Sequence, residues 1–184
     1  MDELIQKDRD IFLFLNNLGD SRFDQFWILV SEIWIWFPLY FIFLYLLFRN
    51  FKLKSFIFIL IFIAIGATIS DQLSTIFKDG FERLRPCHDP SLEHLMREVK
   101  CGGQFGFYSA HASSSFFIAT FMSFMLKHKF RFLPPILFFW ATVVSYSRIY
   151  LGVHFPLDII CGAIVGFLLG GFFSILAKNV IRKQ

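Results

Sequence analysis

Residues 154–177 read HFPLDIICGAIVGFLLGGFFSILA, and this stretch decides the fold. From Phe155 onward it is apolar apart from Asp158 and Ser174, and it is long enough to cross a bilayer core, which takes about 20 residues. Gly162, Gly166 and Gly170 recur every four residues and share one helical face, where small residues let a second helix come close. At the head of the same helix His154 and Asp158 are also four apart and share a face. Titratable groups at a membrane helix end are costly unless they pair or work.

Working outward, the apolar signal recurs. Residues 27–48 form a first run, interrupted by Glu32 and Pro38; residues 56–77 form a second, carrying Asp71. Residues 106–126 form a third, and residues 132–147 a shorter fourth opened by Pro134 and Pro135. Residues 155–177 are the fifth. The composition agrees: 56% of the chain is apolar and 28 of its 184 residues are Phe. The expected fold is an all-α integral membrane protein, one domain over residues 1–184, built as a bundle of about five transmembrane helices. Residues 1–22 are too charged to span. They mix Leu4, Ile5, Phe12 and Leu15 with Asp2, Lys7, Asp8 and Arg9, which suits an amphipathic helix in the interface. No cleavable signal peptide is evident.

Charge placement sets an expected orientation. Arg49, Lys52 and Lys54 lie between the first two runs, Lys127, Lys129 and Arg131 between the third and fourth, and Lys178, Arg182 and Lys183 at the C-terminal end. None of these segments holds an acid, and short basic loops stay in the cytoplasm. The N-terminus and the loop over residues 78–110 are therefore expected on the other side. The basic residues form no surface run of the kind nucleic acid binds.

Three clusters carry chemistry, and all fall at the outward ends of helices. Lys78-Asp-Gly-Phe-Glu-Arg-Leu-Arg85-Pro86 is the first, Tyr108-Ser109-Ala110-His111 the second, and Ser147-Arg148-Ile-Tyr-Leu-Gly-Val-His154-Phe-Pro-Leu-Asp158 the third. The Asp158 carboxylate accepts one imidazole N–H of His154 and leaves the other nitrogen as nucleophile or base. Lys78, Arg85 and Arg148 around one point imply a multiply charged anion, for which the planar Arg fork is suited. Ser109 donates to a phosphate oxygen, and His111 serves as a general acid. This set is complete for phosphoryl transfer through a His, with no metal or cofactor required.

The spacing Lys-x6-Arg-Pro, then Ser-x-His, then Ser-Arg-x5-His-x3-Asp resembles the type-2 phosphatidic acid phosphatase superfamily, which includes glucose-6-phosphatase and vanadium haloperoxidases. The resemblance spans residues 69–177. It implies that His154 forms a phosphohistidine, that Asp158 orients it and that His111 protonates the leaving oxygen. It further implies that Lys78, Arg85, Ser109 and Arg148 hold the phosphoryl group. Ala110 departs from the family's usual Gly or Ser. Relative to six-helix members, the interfacial N-terminal helix stands in place of a first span. The implied partner is a membrane lipid phosphate, and the implied location is a bacterial inner membrane with the site facing the periplasm or exterior. Undecaprenyl pyrophosphate, phosphatidylglycerol phosphate, phosphatidic acid and the phosphates of lipid A all fit. The small chain and short loop lean towards a prenyl pyrophosphate or a glycerolipid phosphate.

Other readings are blander. His88, His94 and His128 read as solvated. Arg83, Arg97 and Lys100 read as ordinary loop charges, with Arg83 nearest the motif. Asp71, roughly on the face of Lys78, reads as support for the site, Glu32 as interfacial, and Trp27, Trp34, Trp36 and the Tyr residues as membrane-belt anchors. Cys161 reads as a small apolar filler. Cys87 and Cys101 form a disulfide in an oxidising compartment; the alternatives are free thiols or, with His88, a zinc site of no common spacing. A transporter is disfavoured because the charges cluster at one face, and a non-catalytic binder because binding needs only the cations.

Overall fold

The computed structural model describes residues 2–182, so Lys183 lies outside the described residues. Among the described residues there are seven α-helices, joined by loops and short 3-10 turns. They are α1 (Asp2–Asn17), α2 (Asp24–Ser31), α3 (Phe37–Asn50), α4 (Leu53–Phe81), α5 (Ala110–Leu126), α6 (Leu133–Tyr150) and α7 (Pro156–Arg182). Three segments are long and apolar enough to cross a membrane: Ile33–Asn50, Leu53–Phe81 and Pro156–Arg182. The apolar 17-residue α5 and 18-residue α6 complete the five runs expected from the sequence.

The first run differs from expectation. It is not one helix over residues 27–48 but α2, then an extended Glu32 (φ −84°, ψ 135°), a 3-10 turn over Ile33–Trp36, and α3. The break has local causes. Glu32 turns outward to accept from Lys100 Nζ at 2.7 Å, and Pro38 sits in the first turn of α3, where its missing N–H costs nothing. Trp36 Nε1 donates back to Val30 O at 2.9 Å and closes the kink.

The centre of the bundle is the pair α5–α7. A Cβ placed on Gly162 would sit 2.5 Å from Ser109 O, one on Gly170 would sit 2.6 Å from Phe117 O, and one on Gly166 would strike Ser113 O. The stripe therefore does what its spacing implies: α7 lies backbone to backbone on α5, the helix that carries His111. On its other side α5 meets α4 through polar contacts. The Ser70 and Ser113 hydroxyls lie 2.7 Å apart, and the buried Tyr108 hydroxyl donates to Ser70 O at 3.1 Å. Towards the far end Phe43, Leu47, Ile59, Phe121 and Leu126 fill the core.

Helix α1 lies across the motif end. Asp8, Phe12 and Asn16, each four residues from the next, are buried along one face. Asn16 Nδ2 donates to Ile149 O and Tyr150 O at 3.1 and 3.0 Å, satisfying carbonyls at the end of α6, while its Oδ1 accepts from Arg97 N at 2.7 Å. Several aromatic residues expected as belt anchors pack inside instead. Trp27 stacks on Tyr150 at 5.3 Å, Trp36 meets Trp140 edge-on at 5.7 Å, and Tyr108 is fully buried.

Gly171, beside the stripe, has open space where its Cβ would be. Gly166→Leu should therefore destabilise the bundle by about 3 kcal/mol, the upper end for overpacking, because a backbone carbonyl cannot step aside. Gly171→Leu should be near neutral. Thermal unfolding in detergent checks this: a large drop in midpoint for the first and almost none for the second is expected. Equal midpoints would contradict the close approach of α5 and α7.

Candidate active site

The motif residues lie at helix ends or in the loops that adjoin them. Lys78 stands in the last turn of α4, which ends at Glu82 in the left-handed conformation (φ 47°). Ser109 is the N-cap of α5, its hydroxyl accepting from Ala112 N at 3.4 Å, and Ala110 and His111 open that helix. Arg148 lies in the last turn of α6. His154 sits in the short turn before α7, and Asp158 in the first turn of α7. Two backbone bonds stitch these ends together: Ser109 N donates to Asp158 O at 3.0 Å, and Val153 N to Arg148 O at 3.1 Å.

The His154–Asp158 pair expected from the spacing is formed. His154 Nδ1 lies 3.3 Å from Asp158 Oδ2, and the same oxygen accepts from Phe155 N at 3.0 Å. Burial lowers the His154 pKa to about 4, against the pull of Asp158. Burial thus favours the neutral ring, and the placement of Nδ1 beside Asp158 Oδ2 suits an Nδ1–H directed at the carboxylate, leaving the lone pair on Nε2.

The three cations converge as expected; Lys78 is close enough to feel both the Arg85 and the Arg148 charge. Arg85 is held by its own loop, its Nε donating to Phe105 O at 3.1 Å, across an isolated bridge between Leu84 and Phe105. A Cβ on Gly106 would lie 3.0 Å from Arg85 Cγ and 3.3 Å from Asp158 Oδ2, so glycine there lets the arginine pass close to the dyad. Arg148 is nearly buried, with Nη1 donating to the Ser31 hydroxyl and Nε unpartnered. Among the described residues no carboxylate forms an ion pair with Lys78, Arg85 or Arg148. Neighbouring cations left without acid partners suit an external anion.

Two cavities adjoin His111. One of about 410 Å³ is lined by Ser31, Glu32, Trp34, Lys100, His111 and Arg148. The other, about 200 Å³ and mostly apolar, runs beside Trp36, Tyr40, Asp71, His111, Ile118 and Trp140. Both open where the first run is broken. Asp71, expected to support the site, lines the second.

Other residues near the site take roles that their sequence context does not announce. Arg83 is no ordinary loop charge: its Nη1 donates to Asp158 Oδ1 at 2.8 Å and its Nη2 to Asp8 Oδ2 at 2.5 Å. Arg97 and Lys100 are also paired, with Asp24 at 2.9 Å and Glu32 at 2.7 Å. Ser31 carried no motif. The spacing did contain a signal for Asp8, a polar residue four before Phe12 and eight before Asn16. Cys87 and Cys101 are joined by a disulfide, with Cα atoms 5.8 Å apart, while exposed His88 bonds Gly102 O at 3.0 Å. Cys161 is half-buried in α7.

Comparison with known proteins gives a consistent picture. Residues 55–182 match the family model for the PAP2 superfamily. The chain is 36% identical to a lipid A 4′-phosphatase of Porphyromonas gingivalis, over 94% of this chain and 73% of that protein. It is 34% identical to a lipid A 4′-phosphatase of Bacteroides thetaiotaomicron, over 96% of this chain and 79% of that protein. The crystal structure of LpxE from Aquifex aeolicus superposes with a TM-score of 0.63 at 28% identity, covering 91% of this chain and 93% of that one.

Proposed function

The chain belongs to the PAP2 superfamily and is a membrane lipid phosphatase; from that premise we propose that it removes the 4′-phosphate of lipid A, or of a closely similar glycolipid, at the outer face of the bacterial inner membrane. The observation that carries the substrate is the similarity to two lipid A 4′-phosphatases across nearly the whole chain, including the parts outside the family match. It moves the preference away from the prenyl and glycerolipid phosphates that the short loop suggests. The cavities beside His111 suit a phosphate joined to a bulky, acylated headgroup: a polar space next to Arg148 and an apolar one leading down towards Trp140.

The chemistry follows from the groups present. Lys78, Arg85 and Arg148, with Ser109, take the phosphoryl oxygens and stabilise the charge that spreads over them in the transition state. The lone pair on His154 Nε2 attacks phosphorus; the N–P bond forms as the bond to the lipid oxygen breaks. Protonated His111 gives its proton to that leaving oxygen. His111 then takes a proton from water, whose oxygen attacks phosphorus as the N–P bond breaks. Orthophosphate leaves and His154 is restored. The site groups are cations, imidazoles and a hydroxyl, a set for an anion rather than a divalent ion.

The outward orientation rests on nine Lys and Arg in three acid-free segments, each biasing its end towards the cytoplasm. The fold supports it by gathering those segments at the end away from the motifs: Lys129 Nζ donates to Asn50 O at 3.4 Å, and Lys127 and Lys178 both lie over the Phe124 ring.

Phosphate release by detergent-purified protein, measured over a panel of lipid A, undecaprenyl pyrophosphate, phosphatidylglycerol phosphate and phosphatidic acid, tests the substrate. Lipid A should be turned over fastest, with the 4′-phosphate lost. His111→Ala should cost about 10²–10⁴-fold on the lipid and far less on an activated aryl phosphate, whose leaving group needs no proton. A clear preference for another lipid would replace the substrate, and equal losses on both substrates would remove the acid role. Orientation is checked separately, with a cysteine introduced at exposed Glu93 in a variant lacking the native cysteines. A membrane-impermeant thiol reagent should label it in spheroplasts. Labelling only after lysis would invert the topology.

A further inference from the structure

Helix α1 does more than rest in the interface. It reaches the His154–Asp158 pair at three points. Asp8 Oδ2 accepts from Arg83 Nη2 at 2.5 Å, and Arg83 Nη1 donates to Asp158 Oδ1 at 2.8 Å. Asp8 Oδ1 accepts from Leu157 N at 2.9 Å, in the first turn of the helix that carries Asp158. Phe12 meets Phe155 edge-on at 5.3 Å, and the Arg83 guanidinium lies over the Phe155 ring, 4.3 Å from its centre. Asp8 is 3% exposed and Asp158 is fully buried.

We propose that Asp8 and Arg83 are positioning residues for phosphoryl transfer: α1, acting through Arg83, holds Asp158 in the orientation that presents His154 to the substrate. The inference rests on the phosphatase reading above, with His154 as nucleophile. Every oxygen in the chain of contacts is engaged. Asp158 Oδ2 serves His154 and Phe155 N, so its Oδ1 is left for Arg83. Both Asp8 oxygens accept, one from Arg83 and one from the α7 backbone. A buried carboxylate with one oxygen unsatisfied would turn or take up a proton, and either change releases the imidazole from its Nδ1–H tautomer. Arg83 prevents both because its planar fork reaches two acids at once. A lysine supplies a single point charge and spans only one of them. None of this touches the phosphoryl group. Lys78, Arg85 and Arg148 form no ion pair with Asp8 or Asp158 among the described residues, so the expected effect of changing Arg83 or Asp8 falls on the dyad.

The division of labour predicts a separation of kinetic constants. Arg83→Lys should lower kcat about 10–100-fold, the range expected when a reacting group is misplaced by about an ångström, with KM within about threefold. Asp8→Asn, which keeps shape and volume, should lower kcat about tenfold. The double variant should be little worse than Arg83→Lys alone, because both act through one chain of contacts. All are compared per folded molecule, with thermal unfolding midpoints as the control. A raised KM with unchanged kcat in Arg83→Lys would make Arg83 a phosphate ligand and overturn the proposal. So would unchanged kcat in folded Asp8→Asn, which would leave α1 a purely structural element, and so would multiplicative losses in the double variant. A second readout does not depend on turnover: ¹⁵N spectra of labelled histidine should show His154 as the Nδ1–H tautomer in the parent and a mixture in Arg83→Lys. If the parent releases phosphate from no lipid, the function is wrong while the tautomer shift still tests this inference. An unchanged tautomer overturns it alone.

Discussion

The site depends on the backbone contact between α5 and α7. Gly162, Gly166 and Gly170 let α7 lie directly on the carbonyls of Ser109, Ser113 and Phe117. Without side chains between them the two helices have little freedom to slide or roll, so their first turns stay in register. The bond from Ser109 N to Asp158 O closes the same contact at the motif end. His111 belongs to one helix and Asp158 to the other, with His154 just ahead of it. Two imidazoles on separate segments are thus held near one another by an interface of glycines a little over two turns long. In lipid such packing, rather than water exclusion, holds helices together.

Around this frame the charges are sorted by role. Arg83, Arg97 and Lys100 are matched with acids and fasten loops to the helix ends. Among the described residues Lys78, Arg85 and Arg148 form no ion pair with an acid. A cation already neutralised by a nearby carboxylate has little left for a ligand, whereas three unneutralised ones suit a multiply charged anion, the role proposed for them above. The broken first run serves the same arrangement. By turning at Glu32 it places Ser31 against Arg148 and leaves cavities beside His111 that an unbroken helix would fill.

Much of this was legible in the residues, and the exceptions share a cause. The apolar runs, the glycine stripe and the His154–Asp158 pair are local patterns, readable by period and spacing, and the residues proposed to hold phosphate fall in short motifs. Arg83 with Asp158 and Arg83 with Asp8 are each 75 residues apart, and no period links them. Arg148 with Ser31 is 117 apart. The break at Glu32 looked like an ordinary polar interruption in an apolar run, because nothing local says that Lys100 is near enough to draw it out. The face of α1 was partly visible: Asp8, Phe12 and Asn16 at intervals of four are a polar–apolar–polar stripe, which a helix lying only on lipid has no reason to carry.

The central claim is that the glycine interface brings His154 and His111 to opposite sides of one phosphorus, so that the phosphoryl group passes through His154. Rapid quenching of His111→Ala protein with an activated aryl phosphate, whose leaving group needs no proton, under single-turnover conditions, followed by mass spectrometry of its peptides, tests this directly. Removal of the group that activates water should let the intermediate accumulate. The expected result is one added phosphoryl group on the peptide containing His154, labile to acid and absent from His154→Ala. Phosphate release at an undiminished rate with no such adduct, or an adduct on any other residue, would contradict it.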